Sequence, residues 1–280
     1  MAVTGNTELA AVKQALIASM VQKEIREQAK FMPLVTDYSA LAVAGAKSVS
    51  LPKFDSFTVG ARASGVAGTP DNLTADADTI DLDTNLYVQW IIDSWDELQS
   101  NVPAQEVYLR RAASGHARKV DELLRDELVG AASLNLGGIA DLTRDNVLDM
   151  REHLISGNAD MDNAALVVGV AQDKAMLKIE EFTRGDAYGS SNIPSGFIGR
   201  VFGVPVIVSN ILASSQAVMF EKSACGIAFQ QQPNLASENA IDYGTKARKF
   251  ALDQILGMSA LQLGVNGAAA SESPLIAKYQ

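Results

Sequence analysis

Three side chains hold most of the reactive chemistry in this sequence: Cys225, His116 and His153. A thiol and an imidazole make a nucleophile and its base when a fold brings them together. Their neighbours argue for quieter roles. Cys225 stands between Ala224 and Gly226, the setting of a small buried thiol. His153 falls beside Leu154 and Ile155 in the last turn of an expected helix, where a cation suits the helix dipole. His116 lies next to the apolar stripe of another expected helix, with no acid at a spacing that would orient its ring. A single cysteine also excludes an internal disulfide framework and any multi-cysteine zinc site. Asp76, Asp78, Asp81 and Asp83 could be read as calcium ligands, but Ile80 occupies a ligand position and the loop glycine is missing. These acids are expected to form a solvated or partner-facing edge. There is no phosphate-binding loop, dinucleotide glycine fingerprint or nucleophile elbow. No enzyme chemistry, metal site or cofactor is expected.

Charge narrows the choice of partners. The 280 residues carry a net charge of −10, unevenly spread. Residues 63–109 hold nine acids and no base, whereas residues 110–280 hold sixteen bases and nineteen acids. Arg110, Arg111, Arg118, Lys119 and Arg125 concentrate on one expected helix. No basic stripe interleaved with aromatics exists, so tight nucleic-acid binding is not expected. The longest apolar run, near 164–171, is far too short to span a bilayer. The N-terminus lacks the basic-then-apolar block of a secretory signal. With 48% hydrophobic and 20% charged residues the chain reads as soluble, globular and cytosolic, long enough for about two structural units.

The elements that position these residues follow from periodicity. Leu9, Val12, Leu16 and Met20 predict a helix over 8–30, ended by Pro33. Val49 and Leu51 alternate with serines in a strand over 47–54, and Gly60, Gly65, Gly68 and Pro70 punctuate the stretch after it. Ile80, Leu82, Thr84, Leu86, Val88, Trp90 and Ile92 then take every even position. A single strand of that length would span roughly 46 Å, a hairpin arm that needs a partner surface for its apolar face. Leu109, Ala113, Ala117, Val120, Leu124 and Leu128 predict one long helix over 102–131, with a break at Leu136-Gly137-Gly138. Thr143 caps a helix that Gly157 closes. Residues 164–170 read as a buried strand, 171–182 as a helix and 183–195 as a loop. Strands are expected at 204–208, 217–220, 225–229, 240–243 and 250–256.

The order of these elements, with certain motifs, resembles the major capsid protein of tailed phages, the Hong Kong 97-type fold. The acidic strand runs through Ser94-Trp95-Asp96-Glu97 and Gln99-Ser100-Asn101 into the long helix continued by Arg110-Arg111-Ala112. Gly196-Phe197-Ile198-Gly199-Arg200 with Gly203-Val204-Pro205-Val206 is similar to the family's glycine-rich hairpin, and Leu256-Gly257-Met258 to its glycine-containing C-terminal strand. The resemblance covers nearly the whole chain. It implies an α+β subunit with an N-terminal arm (1–45), an extended β-hairpin loop (46–95), a peripheral domain with a long spine helix (101–135 and 236–270), an axial domain (136–235) and a C-terminal tail (271–280).

The function so implied is a self-assembling icosahedral shell of pentamers and hexamers around packaged double-stranded DNA. The shell belongs to the virion and is assembled in the host cytoplasm. A separate scaffolding protein, a portal and a decoration protein are the expected partners; the DNA is enclosed without specific binding, and no membrane is involved. No matching lysine–asparagine pair is identified for a covalent cross-link. In this fold the extended loop crosses a neighbour, so Asp76, Asp78, Asp81 or Asp83 is expected to face Arg110, Arg111, Arg118, Lys119 or Arg125 of another copy. A bacterial nanocompartment shell keeps the fold and changes the contents. A small hydrolase using Cys225 is the remote alternative.

Overall fold

The computed structural model describes residues 29–54, 61–62, 64–65, 67–68, 75–92, 104–137, 141–179, 199–239, 247–262 and 275–279. The expected helix over 8–30 falls almost entirely outside them, as do the loop over 183–195, the strand at 240–243 and the Ser94–Asn101 motif. Three sheets organise the described residues. A hairpin pairs β2 (Ser48–Phe54) with β3 (Ala75–Asp81). A four-stranded sheet runs in the order β1 (Thr36–Asp37), β10 (Cys225–Asn239), β11 (Arg248–Ala260) and β4 (Thr84–Ile92). A six-stranded sheet runs β5 (Leu134–Leu136), β12 (Ile276–Tyr279), β9 (Ala217–Glu221), β6 (Ala164–Val168), β8 (Val204–Val208) and β7 (Arg200–Val201).

Helix α1 (Ala104–Gly130) is 27 residues long, about 40 Å at 1.5 Å per residue. Its buried stripe has two halves that serve different surfaces. Leu109, Ala113 and Ala117 pack on Ile92, Leu235, Phe250 and Leu252 of the four-stranded sheet. Val120, Leu124 and Leu128 enter a second core with Val167, Val218 and Phe220 of the six-stranded sheet and Ile227, Phe229 and Leu256 of the four-stranded one. The two sheets therefore share a core, and α1 runs along both. Helix α2 (Arg144–Ser156) has the expected ends: Thr143 Oγ1 accepts from Asn146 N at 3.3 Å, and the Gly157 N–H reaches the His153 carbonyl. Val147, Met150 and Leu154 bury its inner face. Helix α3 (Val170–Leu177) is shorter than expected. Between β7 and β8, Phe202 and Gly203 both have positive φ (49° and 87°), the turn that matches strand twist in a two-residue hairpin.

Several expectations need correction. The even-numbered alternation survives over 80–92, with all odd positions exposed, but it belongs to two strands. The chain breaks at Leu82-Asp83: β3 pairs with β2, and β4 pairs antiparallel with β11. The apolar face is also covered within the chain. Val49, Leu51, Ile80 and Leu82 pack on Ala228 and Leu261, and Val88, Trp90 and Ile92 pack under α1. Trp90 and its cross-strand partner Phe250 stack with centroids 5.5 Å apart. The long helix ends at Gly130, ahead of the expected break at Leu136-Gly137-Gly138, and Leu134–Leu136 is a short strand. Ile276–Tyr279, expected in a tail, is an interior strand between β5 and β9, with Ile276 and Ala277 fully buried. Cys225–Leu235 and β4 both belong to the four-stranded sheet.

Candidate assembly surfaces

The acidic edge is less uniform than its sequence. Lys53 pairs in register with Asp76 across the hairpin. Asp78 is partly buried and accepts the Gln262 N–H at 2.8 Å, a bond that ties the hairpin to the end of β11. Asp81 and Asp83 are exposed, and Asp83 accepts from the Thr84 hydroxyl at 3.1 Å. The bases of α1 find acids on their own helix. Arg110 pairs with Glu106 at 3.0 Å, Arg118 with Glu122 at 3.1 Å and Lys119 with Glu122 at 3.5 Å. Arg125 pairs with Asp126 at 2.6 Å and donates to the Ile211 carbonyl at 2.8 Å, while Arg111 is exposed. The exposed pairs of Arg110, Arg118 and Lys119 contribute about 0–1 kcal/mol each and leave these bases free to exchange partners, whereas Arg125 is partly buried and held by Ile211 as well. Within one copy, none of the described acids of the edge forms an ion pair with the α1 bases.

The reactive side chains are placed for packing. Cys225 is fully buried, and burial, helped by the Glu127 carboxylate, pushes its thiol up to about 12. A thiol held neutral is a poor nucleophile. His116 is 2% exposed between α1 and β11. Burial lowers its pKa, against a weaker opposing pull from Gln254 and Asp253. Gln254 stands close enough to favour the charged ring but is not aligned for a hydrogen bond. His153 Nε2 lies 2.7 Å from the Ser133 hydroxyl, and burial lowers its pKa too, which works against the cation that its helix end suggested.

One residue escaped the sequence reading. Asp121 is an acid on a charged helix, yet it is 1% exposed and accepts the backbone N–H groups of Lys30 at 2.6 Å and Phe31 at 3.1 Å. Burial raises its pKa, while those N–H groups, that of Met32 and the Lys30 charge act in the opposite sense. A signal was available: Asp121 continues the stripe of Ala117, Leu124 and Leu128, where an acid has no reason to be unless it binds something. The outer face of β4 exposes two large side chains, Tyr87 and Ile91.

No family model matches the sequence, and no curated protein aligns with it. Solved structures do match. One of Mycobacterium phage Che8 superposes with a TM-score of 0.73 at 19% identity, covering 90% of this chain and 91% of that one. The capsid structure of cyanophage P-SCSP1u gives 0.72 at 13% identity, covering 90% and 87%. This is the Hong Kong 97-type capsid fold. A virus-like particle from Pyrococcus furiosus also matches, with a TM-score of 0.60 at 10% identity and 96% and 99% coverage. The capsid fold therefore extends over nearly all of this chain and nearly all of each neighbour.

Proposed function

We propose that this chain is a major capsid protein, the subunit of an icosahedral shell that encloses the double-stranded DNA of a tailed phage. The observation that carries the reading is the near end-to-end likeness to phage capsid structures. The assignments that follow from it are these. Helix α1 is the spine helix, and with the four-stranded sheet it makes the peripheral domain. The six-stranded sheet is the core of the axial domain. The hairpin of β2 and β3 is the base of the extended loop, which crosses a neighbouring copy and brings Asp76, Asp81 and Asp83 towards bases such as Arg111 and Lys119. Residues before Ala29 act as an arm between copies. Scaffolding, portal and decoration proteins come from separate chains, and the acidic balance suits a wall that repels the packaged DNA and does not grip it. Assembly takes place in the host cytoplasm.

The Pyrococcus particle supports a second reading, a nanocompartment shell around protein cargo. Electron microscopy of particles purified from producing cells separates the two. Closed shells with nuclease-protected DNA are the expected result. Closed shells holding only protein would favour the second reading, and a chain that stays monomeric at high concentration would defeat both.

A further inference from the structure

The N-terminal end of the described chain is a strap across the subunit. The Lys30 ammonium donates to the Val208 carbonyl at the end of β8, 2.8 Å away, in the six-stranded sheet. Phe31 is fully buried in the core shared by both sheets. Thr36 and Asp37 pair in parallel with Gly226 and Ile227, the Thr36 hydroxyl donates to the Lys222 carbonyl at 2.9 Å, and the Tyr38 N–H donates to the Ile227 carbonyl at 2.8 Å. Nine residues thus touch both sheets. Between the two attachments the backbone turns, with Met32–Leu34 forming a single 3-10 turn. The N–H groups at such a start have no partner within the turn. Asp121 supplies one from α1.

A carboxylate suits this task where an amide would not. Lys30 N bonds to Oδ2 and Phe31 N to Oδ1, so both oxygens must accept. An asparagine would present an NH2 group to one of two donors. Taking a carboxylate out of water is costly, and charge-assisted bonds to backbone N–H groups offset that cost only while the strap is seated. The acid in the apolar stripe of α1 therefore does little for the helix itself. Its partners are on the strap.

We propose that Asp121 is a positioning residue for the N-terminal segment: its buried carboxylate seats residues 30–31 and so fixes where the chain before Ala29 leaves the subunit. Its role in assembly rests on the shell reading above; its hold on the strap does not. A seated strap gives every copy the same departure point and direction for its N-terminal segment. An unseated strap leaves that direction undefined, although the sheets and α1 remain packed through the rest of the shared core.

The test uses the full chain with Asp121→Ala and, in parallel, the milder Asp121→Asn. Hydrogen exchange is read at Lys30 and Phe31 and, as an internal control, at Tyr38. The alanine variant should speed exchange at Lys30 and Phe31 by about ten- to a hundredfold, the loss expected when bonds to a charged acceptor are removed. Tyr38, bonded to Ile227, should be unchanged. The asparagine variant should fall between, and it carries the test alone if the alanine variant does not fold. Shells counted by electron microscopy should drop in yield or uniformity in step with the exchange. Unaltered exchange at Lys30 and Phe31 in a folded variant would overturn the strap. Faster exchange with wild-type shell yield and size would overturn its role in assembly. If the wild-type chain makes no shells, the shell reading fails, and the exchange result still decides whether Asp121 holds the strap.

Discussion

The Cα of Gly257 in β11 lies directly beneath the carbonyl oxygen of Asp81: a Cβ at position 257 would stand 2.1 Å from that oxygen. This contact is where the hairpin of β2 and β3 leaves the four-stranded sheet. On one side of it, Leu256 still pairs with Thr84; on the other, β3 has crossed over β11 and pairs with β2. Backbone approaches that close are open only to glycine. The crossing is further pinned by the Leu82 N–H on the Lys47 carbonyl at 2.8 Å and by the Gln262 N–H on Asp78.

Three glycine-to-alanine changes should therefore rank in a definite order. Gly257→Ala meets backbone that cannot move without shifting the hairpin, and should cost about 1–3 kcal/mol as overpacking does. Gly226→Ala meets the ends of the Leu261 and Ile80 side chains at 2.8 and 2.9 Å, which can give way more readily than backbone, and the edge of the Tyr38 ring at 3.0 Å, so its cost should be smaller. Gly115→Ala, in α1 with nothing within 4 Å, should stabilise by about 0.5–1 kcal/mol through helix propensity. Thermal melts of the three variants check the order. A Gly257 variant that melts with the wild type would remove the crossing as a constraint.

That crossing also explains what the sequence could reveal and what it could not. Alternation over 80–92 is a local signal, and it named the buried positions correctly on both sides of the break. The break itself is imposed by Gly257 and Gln262, far away in the chain, so no window around residue 82 contains it. The ends of α2 were legible because Thr143 and Gly157 act on their own helix. Ile276–Tyr279 was not legible: four residues show no period, and their place between β5 and β9 is set entirely by pairing. Asp121 was visible in principle as an acid in an apolar stripe, but its partners at Lys30 and Phe31 are tertiary. The basic character of α1 was plain, while its pairing with Glu106 and Glu122 follows from helical spacing that the charge count overlooked.

His116 should make the subunit sensitive to mild acid. Burial holds its folded-state pKa below the ordinary value of 6.5, so the folded chain prefers the neutral ring. Its contribution is complete above that ordinary value and is lost as pH falls below it, because the unfolded chain takes up the proton first. The slope is at most about 1.4 kcal/mol per pH unit for one proton. His116→Gln removes the titration. The wild type's melting temperature, measured relative to that variant, should fall between pH 7 and pH 5. His153 acts in the same direction in both proteins and cancels. A gap that stays constant across this range would show that His116 is not the sensor.

Cys225 should be silent in the native subunit. A fully buried thiol with its pKa pushed up to about 12 presents almost no thiolate at neutral pH. An aromatic disulfide reagent should leave it unmodified under native conditions and react fully once the chain is unfolded in denaturant. Cys225→Ala should leave no activity missing, only a small loss of stability from the vacated volume. Rapid modification of the folded protein would contradict the burial and reopen the thiol as a nucleophile.

The charge pairing between copies can be tested without harming the subunit, because the edge acids are not equivalent. Asp78 accepts the Gln262 N–H, so reversing it would damage the hairpin seat and confuse folding with assembly. Asp81 and Asp83 are exposed, and neither forms an ion pair with a described base of its own copy. Asp81→Lys with Asp83→Lys should therefore leave the monomer's melting temperature close to the wild type. If these acids face the α1 bases of a neighbour, each contact turns from mild attraction into repulsion, a change on the order of 1 kcal/mol per pair. The term is small alone, but it recurs at every copy of a closed shell. Shell yield, followed by light scattering and sedimentation, should fall in the reversed variant. Raised salt should weaken wild-type assembly in the same direction, since exposed charges are screened over about 10 Å at 0.1 M. Restoring yield by adding Arg111→Glu and Lys119→Glu to the reversed chain would identify the partner helix. Assembly indifferent to both charge reversal and salt would leave Asp81 and Asp83 as solvated surface and move the contact elsewhere, with the exposed Tyr87 and Ile91 of β4 as the next surface to mutate.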